Sequence, residues 1–171
     1  AVALVAAVLL DRHHAALPEG LAWAVPGADA GIELGAWFIP WAVLVIVGSS
    51  NAVNLTDGLD GLSGGCLVAA LAAMTPAVYA SGHAIWAEYL GIPRVPGAGE
   101  LCVLSAATIG GVLGFLWFNC HPAQVFMGNT GALPLGGLLG TLALSARQEW
   151  LLVVVGGVFV AEAMSVILQV A

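Results

Sequence analysis

The stretch from residue 101 to residue 118, LCVLSAATIGGVLGFLWF, contains no charged side chain. A helix needs about 20 mostly apolar residues to cross a bilayer, so this run is nearly long enough for one membrane span. Four or five runs of this kind are long enough or nearly so, and a shorter run at residues 1–10 is interpreted as a partial helix. The other runs are Ala1–Leu10, Ala36–Val53, Leu62–Ala80, Ala132–Ala146 and Trp150–Ala171.

The composition of the whole chain supports this interpretation. Hydrophobic residues make up 61% of the 171 residues, charged residues only 8%, and the mean hydropathy is +1.03. Soluble domains carry about 25% charged residues, so the sequence predicts an all-α, polytopic transmembrane bundle that forms one membrane domain over residues 1–171. The net charge of −7 excludes a basic surface for nucleic acid. Because the chain starts and stops inside apolar runs, we expect it to be an internal fragment of a longer protein.

Polar residues gather in a first loop, Asn51–Leu62. Asn54, Asp57 and Asp60 are spaced three apart, so they would share one face if the backbone is helical there. Such oxygen-bearing side chains suit Mg²⁺, or hydrogen bonds to sugar hydroxyls and a base edge. The alternative is that the two aspartates form a turn and cap the helix that begins near Gly61.

A second polar loop, Asn119–Gly131, ends in Gly-Asn-Thr-Gly ahead of an apolar run. The backbone N–H groups at such a helix start attract phosphate. Asn129 could instead be a plain N-cap, and Phe126 could stack on a base or pack the loop onto the bundle. His121 is interpreted as a packing residue of this loop. Counting helices brings both loops to the same face of the membrane.

These two loops, together with the run from Arg147 to Gln169, resemble the phospho-N-acetylmuramoyl-pentapeptide transferase family, a branch of the polyprenyl-phosphate N-acetylhexosamine-1-phosphate transferases. The resemblance extends from Ala36 to the end of the chain. It implies a multi-pass enzyme of the bacterial inner (plasma) membrane that works in peptidoglycan biosynthesis with Mg²⁺. Such an enzyme transfers phospho-MurNAc-pentapeptide from UDP-MurNAc-pentapeptide to undecaprenyl phosphate, giving lipid I and UMP. The resemblance also leaves a homodimer open.

The resemblance further implies roles for individual residues. Asp60 corresponds to the carboxylate that contacts the uracil end of the nucleotide, and Phe126 to the aromatic ring that stacks on uracil. The implied catalytic residues are Asp57, Asn54 and Asp60, and the implied substrate-binding residues are Asp60, Asn119, Phe126 and Gly58.

Position 129 departs from the family pattern. The family has an aspartate there that binds Mg²⁺, whereas this chain has Asn129. An amide oxygen can coordinate Mg²⁺ but is neutral, so we expect weaker metal binding. An adjacent aspartate pair and a histidine-rich loop of the family are also missing, and we expect the isolated chain to be inactive.

Three questions stay open at the level of sequence. The first question is whether the protein is instead a sister transferase that uses UDP-GlcNAc, and the second is whether it is a non-catalytic, nucleotide-binding membrane paralogue. The third question is orientation: the positive-inside rule would make the face bearing Arg12, Arg94 and Arg147 cytoplasmic. The nucleotide donor is made in the cytoplasm, however, so the chemistry requires the two motif loops to be cytoplasmic.

Overall fold

The computed structural model describes residues 1–17, 22–23 and 32–170. Within them, the all-α class is confirmed, and one small antiparallel pair accompanies the helices, with Ala22–Trp23 (β1) against Ile32–Glu33 (β2). Two 3₁₀ turns, Gly35–Trp37 and Ala98–Glu100, lead directly into helices. The helices are α1 (Val2–Ala15), α2 (Phe38–Thr56), α3 (Leu62–Gly82), α4 (Ala84–Leu90), α5 (Leu101–Asn119), α6 (Gly128–Ser145), α7 (Glu149–Val155) and α8 (Gly157–Val170).

Several helices extend beyond the apolar runs that predicted them. Helix α2 continues past Val53 to Thr56 because its polar side chains bond within the helix: Asn51 Nδ2 donates to Val47 O at 2.8 Å, and Thr56 Oγ1 donates to Ala52 O at 2.9 Å. Helix α6 begins at Gly128 rather than at Ala132. Helix α4 lies between two of the apolar runs, in a stretch that was not among the predicted helices.

The described residues contain three helical segments that are long and apolar enough to cross a membrane, or four if α7 and α8 form one span. This number is at or below the lower end of the four to five predicted. The three are Gly35–Thr56, Leu62–Gly82 and Ala98–Asn119.

The predicted helix Trp150–Ala171 is broken: α7 and α8 meet at an angle of 78°. Gly156 and Gly157 stand at the break, and glycine has low helix propensity.

Helix α2 is the centre of the bundle and packs most extensively against α6, which runs antiparallel to it. Glycines allow this close approach: a Cβ atom on Gly136 would lie 2.6 Å from the carbonyl oxygen of Ser49. Ser50 Oγ donates to the carbonyl of Leu133 at 2.8 Å across the same contact. The end of α2 and the start of α6 are therefore held side by side, and the two polar loops extend from these helix ends.

Candidate functional site

The first loop is a tight turn, residues 57–61, between α2 and α3. Asp57 ends α2, and Gly61 precedes α3 with a positive φ of 75°, which favours glycine. The alternative interpretation of the two aspartates is correct in placing them in a turn, but no side chain caps α3, so its helix cap is wrong. Of the three polar residues predicted to share a helix face, only Asn54 is helical, because the helix has ended before Asp57 and Asp60.

Both aspartates bond across to the second loop. Asp57 Oδ2 accepts the N–H of Gly128 at 3.0 Å. Asp60 Oδ2 accepts the N–H of Ala123 at 3.2 Å and lies 3.2 Å from His121 Nδ1. The two loops, 71 and 63 residues apart in sequence at these bonds, thus form one site.

Asn119, the last residue of α5, joins the two loops. Its side chain is buried, its Oδ1 accepts the N–H of Gly61 at 3.0 Å, and its Nδ2 donates to the carbonyl of Val125 at 2.8 Å. One buried amide therefore fixes the turn and the loop relative to each other. Direct contact between Asn119 and substrate stays a prediction.

Each aspartate keeps one oxygen available. Among the described residues, neither Asp57 Oδ1 nor Asp60 Oδ1 has a hydrogen-bond partner. The surroundings of Asp57 raise the pKa of its carboxyl, chiefly through burial, and the bond from Gly128 partly opposes that rise. The site therefore presents two carboxylate oxygens as acceptors for groups that donate hydrogen bonds, or as ligands for a cation.

Helix α6 starts at the site. Its N-cap is Met127, not Asn129, so the N-cap alternative for Asn129 is wrong. Asn129 is exposed in the first turn and directly follows Gly128, whose N–H bonds Asp57. The helix start therefore lies beside an open carboxylate oxygen.

Phe126 is 73% exposed at the end of the second loop, so most of its ring is not used for packing the loop onto the bundle. It borders a cavity of about 500 Å³ between α5 and α6. Asn54 is half-buried in the last turn of α2, and Gly58 is exposed in the turn. Their predicted roles at the site stay predictions.

Sequence reasoning missed His121. Its side chain is 86% exposed and touches Asp60, which contradicts a packing role. The sequence did hold one signal: His121 lies in a loop on the same membrane face as Asp57 and Asp60. It did not show which carboxylate the histidine would contact.

The described residues offer few donors for a metal ion. They contain no group of three histidine, cysteine or acidic side chains that could hold a metal ion. Asp57 Oδ1 and the amide oxygen of Asn129 are the donors near the start of α6. Mg²⁺ commonly takes one or two carboxylates and completes its shell with water and substrate phosphate, so this donor set fits a weakly held Mg²⁺.

Known proteins resemble this chain closely. Three relatives are named phospho-N-acetylmuramoyl-pentapeptide-transferase. The relative from Koribacter versatilis is 58% identical over 78% of this chain and 35% of its own length. The relative from Citrifermentans bemidjiense is 61% identical, and the match covers 81% of this chain and 38% of the relative. The relative from Thermodesulfovibrio yellowstonii is 55% identical, with the same two coverages of 81% and 38%.

These identities confirm the resemblance inferred from the two loops. The chain spans a little more than a third of the length of the curated relatives it matches. The sequence model described as Glycosyl transferase family 4 matches residues 1–147, which include both loops of the site. The chain therefore belongs to glycosyl transferase family 4.

Proposed function

We propose that the protein containing this chain transfers phospho-MurNAc-pentapeptide from UDP-MurNAc-pentapeptide to undecaprenyl phosphate, forming lipid I and UMP. The observation that carries the proposal is the joining of the two loops, which leaves one open oxygen on Asp57 and one on Asp60. The names of relatives that are 55–61% identical support the same reaction.

In this reaction a phosphate oxygen of the lipid attacks the sugar-proximal phosphorus of the nucleotide, and the bond from that phosphorus to UMP breaks. Positioning and charge neutralisation provide most of the rate in phosphoryl transfer. Asp57 is placed to hold or deprotonate a reacting group through Oδ1, and it lies beside the start of α6. The N–H groups of a helix start attract phosphate. Asp60 and Phe126 would bind the nucleotide.

Mg²⁺ would neutralise charge on the diphosphate when bound. The residues of this chain that would hold it are Asp57 and Asn129. Because Asn129 is neutral, substrate phosphate and groups elsewhere in the protein would contribute the remaining charge. With this donor set, the protein should bind Mg²⁺ less tightly than an enzyme that has aspartate at position 129.

The apolar helices identify a membrane protein, and the relatives are bacterial enzymes by name and source. We extend the proposal to the inner membrane with the 57–61 turn and the 120–127 loop facing the cytoplasm, where the nucleotide donor is made. A homodimer is compatible with this arrangement.

The UDP-GlcNAc transferase is the less favoured alternative, because the relatives carry the muramoyl name. A paralogue that binds nucleotide without catalysis remains the second alternative, and Asn129 is the specific observation in its favour.

The test is release of UMP from UDP-MurNAc-pentapeptide and undecaprenyl phosphate by the full-length parent in detergent, with and without Mg²⁺. Asp57→Asn is the matched control because it can still accept the Gly128 N–H while losing the carboxylate charge. We expect Mg²⁺-dependent release that this variant lowers by about a hundredfold or more. The isolated 171-residue chain should release none.

The outcomes separate the alternatives. Release from UDP-GlcNAc in place of the muramoyl donor would establish the sister reaction. Binding of the donor without any release would establish the non-catalytic paralogue. Release that Asp57→Asn leaves unchanged would remove Asp57 from the mechanism.

A further inference from the structure

Two donors converge on one oxygen of Asp60. The N–H of Ala123 and the Nδ1 atom of His121 each lie 3.2 Å from Oδ2. An ionised carboxylate only accepts hydrogen bonds, so the proton of this second bond belongs to His121 Nδ1. The bond therefore requires a ring that carries a proton on Nδ1.

The two bonds together fix the direction of the carboxylate. A single bond to Oδ2 would let the group turn about its Cβ–Cγ bond, whereas two donors from different directions restrict that rotation. Oδ1, which has no partner among the described residues, is then held in one orientation. The Asp60 side chain is 29% exposed, so this oxygen can be reached by a ligand.

His121 contributes little to holding the loop itself. Its side chain is 86% exposed, and the loop is already fixed by Asn119, which bonds Val125, and by Asp57, which bonds Gly128. The contact with Asp60 is therefore the feature of His121 that a substitution would change most.

We propose that His121 is a positioning residue that orients Asp60 so that Oδ1 accepts a hydrogen bond from the base of the nucleotide substrate. The chemistry of the ligand follows from the acceptor: it must present an N–H or O–H group. The exposed ring of Phe126, five residues after His121 on the same loop, offers a stacking surface that selects a base rather than a sugar hydroxyl. This inference rests on the proposed function, in which Asp60 and Phe126 bind the nucleotide, and it adds His121 to that site.

The experiment compares three variants in the full-length parent. His121→Leu removes the donor. His121→Asn keeps an N–H donor near the position of Nδ1, and His13→Leu removes an exposed histidine of α1 as a control. Steady-state UMP release is measured against the concentration of UDP-MurNAc-pentapeptide, and the dissociation constant of UDP is measured by calorimetry.

We expect His121→Leu to raise KM for the nucleotide donor and Kd for UDP about five- to tenfold, the usual effect of one lost hydrogen bond, with kcat within about twofold. His121→Asn should recover most of both losses, and His13→Leu should match the wild type. A purely structural role would lower kcat and thermal stability together and would not be rescued by asparagine.

The two readouts distinguish failure of this inference from failure of the proposed function. Wild-type protein that binds UDP without releasing UMP would contradict the transferase alone, and the Kd comparison would still test His121. An unchanged KM and Kd in His121→Leu, an asparagine variant as weak as the leucine variant, or wild-type protein that binds no UDP would overturn the inference.

Discussion

Both ends of the bundle carry titratable side chains, but these are partly exposed at one end and buried at the other. At the motif end, formed by the 57–61 turn and the 120–127 loop, Asp57 and Asp60 bond backbone N–H groups and each keeps an oxygen open. At the opposite end, formed by the junction of α6 and α7 with the end of α1, Arg147, Glu149 and His14 are buried. Partly exposed carboxylates with an unbonded oxygen mark the site, whereas buried titratable side chains mark the scaffold.

The two ends also differ in the residue that takes the left-handed backbone conformation at the turn. Arg147 has a positive φ of 55°, so the chain reverses sharply where its side chain enters the protein. The turn at the motif end also has a residue with positive φ, but there it is Gly61, which has no side chain to bury. Similar turns thus serve packing at one end and ligand access at the other.

The largest effect is expected from breaking the motif end at its buried amide. Asn119→Leu leaves the Gly61 N–H and the Val125 carbonyl without their partner, which should cost about 2–4 kcal/mol of unfolding free energy and most of the activity. Thermal unfolding and UMP release of the full-length parent measure the two losses. Asn51→Leu is the control, because Asn51 is exposed and bonds only within α2; equal losses in both variants would contradict the joining role.

Acid should weaken the opposite end. Burial first, and then the charge of Arg147, lower the pKa of His14 to about 4, while a hydrogen bond with the backbone of Ser145 opposes the shift. The folded protein therefore holds the neutral ring. The stability it contributes is complete above the unfolded value near 6.5 and is lost as the pH falls toward 4, by up to about 3 kcal/mol.

Unfolding midpoints measured between pH 7.5 and pH 4.5 test this expectation. His14→Leu should flatten the dependence, whereas His13→Leu, which removes an exposed neighbour, should retain it. A His14→Leu protein that loses stability with acid as steeply as the wild type would show that other groups control the acid limb.

The contact that connects both ends should respond to a single methyl group. Gly136→Ala places a carbon 2.6 Å from the Ser49 carbonyl oxygen and 2.8 Å from Ser50 Cα, so α2 and α6 must separate, at a cost of about 1–3 kcal/mol. Gly137→Ala is the matched control, since its nearest neighbour would be Ile46 Cγ2 at 4.0 Å. Chemical denaturation distinguishes them, and equal stability of the two variants would contradict the close approach.

A smaller gain is expected at the motif end from Asn129→Asp. A carboxylate in the first turn of α6 adds charge beside Asp57, and should strengthen Mg²⁺ binding by about 1 kcal/mol, or roughly fivefold. The Mg²⁺ concentration that gives half-maximal UMP release is the measurement. Asn51→Asp adds the same charge on α2, so an equal shift in both variants, or none in either, would argue against a metal role at position 129.

Much of the fold follows from the apolar runs. Backbone N–H and C=O groups in lipid must form hydrogen bonds within the protein, and a helix satisfies them within its own segment. The helix ends were less predictable. Asn51, Asn54 and Thr56 are polar and suggested a loop, yet they are helical, and the side chains of Asn51 and Thr56 bond back to carbonyls of α2. Asn129 likewise lies in the first turn of α6. The break at Gly156 was hidden by apolar residues on both sides.

The candidate site was predicted as residues but not as geometry. Helix counting brought the two loops to one face, and the structure joins them by hydrogen bonds. Sequence spacing favoured a shared helix face for Asn54, Asp57 and Asp60, but the turn separates them. The partner of Asp60 lies 61 residues away, and contacts across such a distance depend on how α2 and α6 pack rather than on local pattern.

The 78° bend between α7 and α8 has a consequence for how this segment lies in a bilayer. Two helices at such an angle cannot both run along the membrane normal. If α8 crosses the membrane, α7, which has seven residues and a rise of about 10 Å, lies close to the membrane plane. Trp150 in its first turn would then meet the zone between lipid headgroups and acyl chains, where tryptophan is enriched.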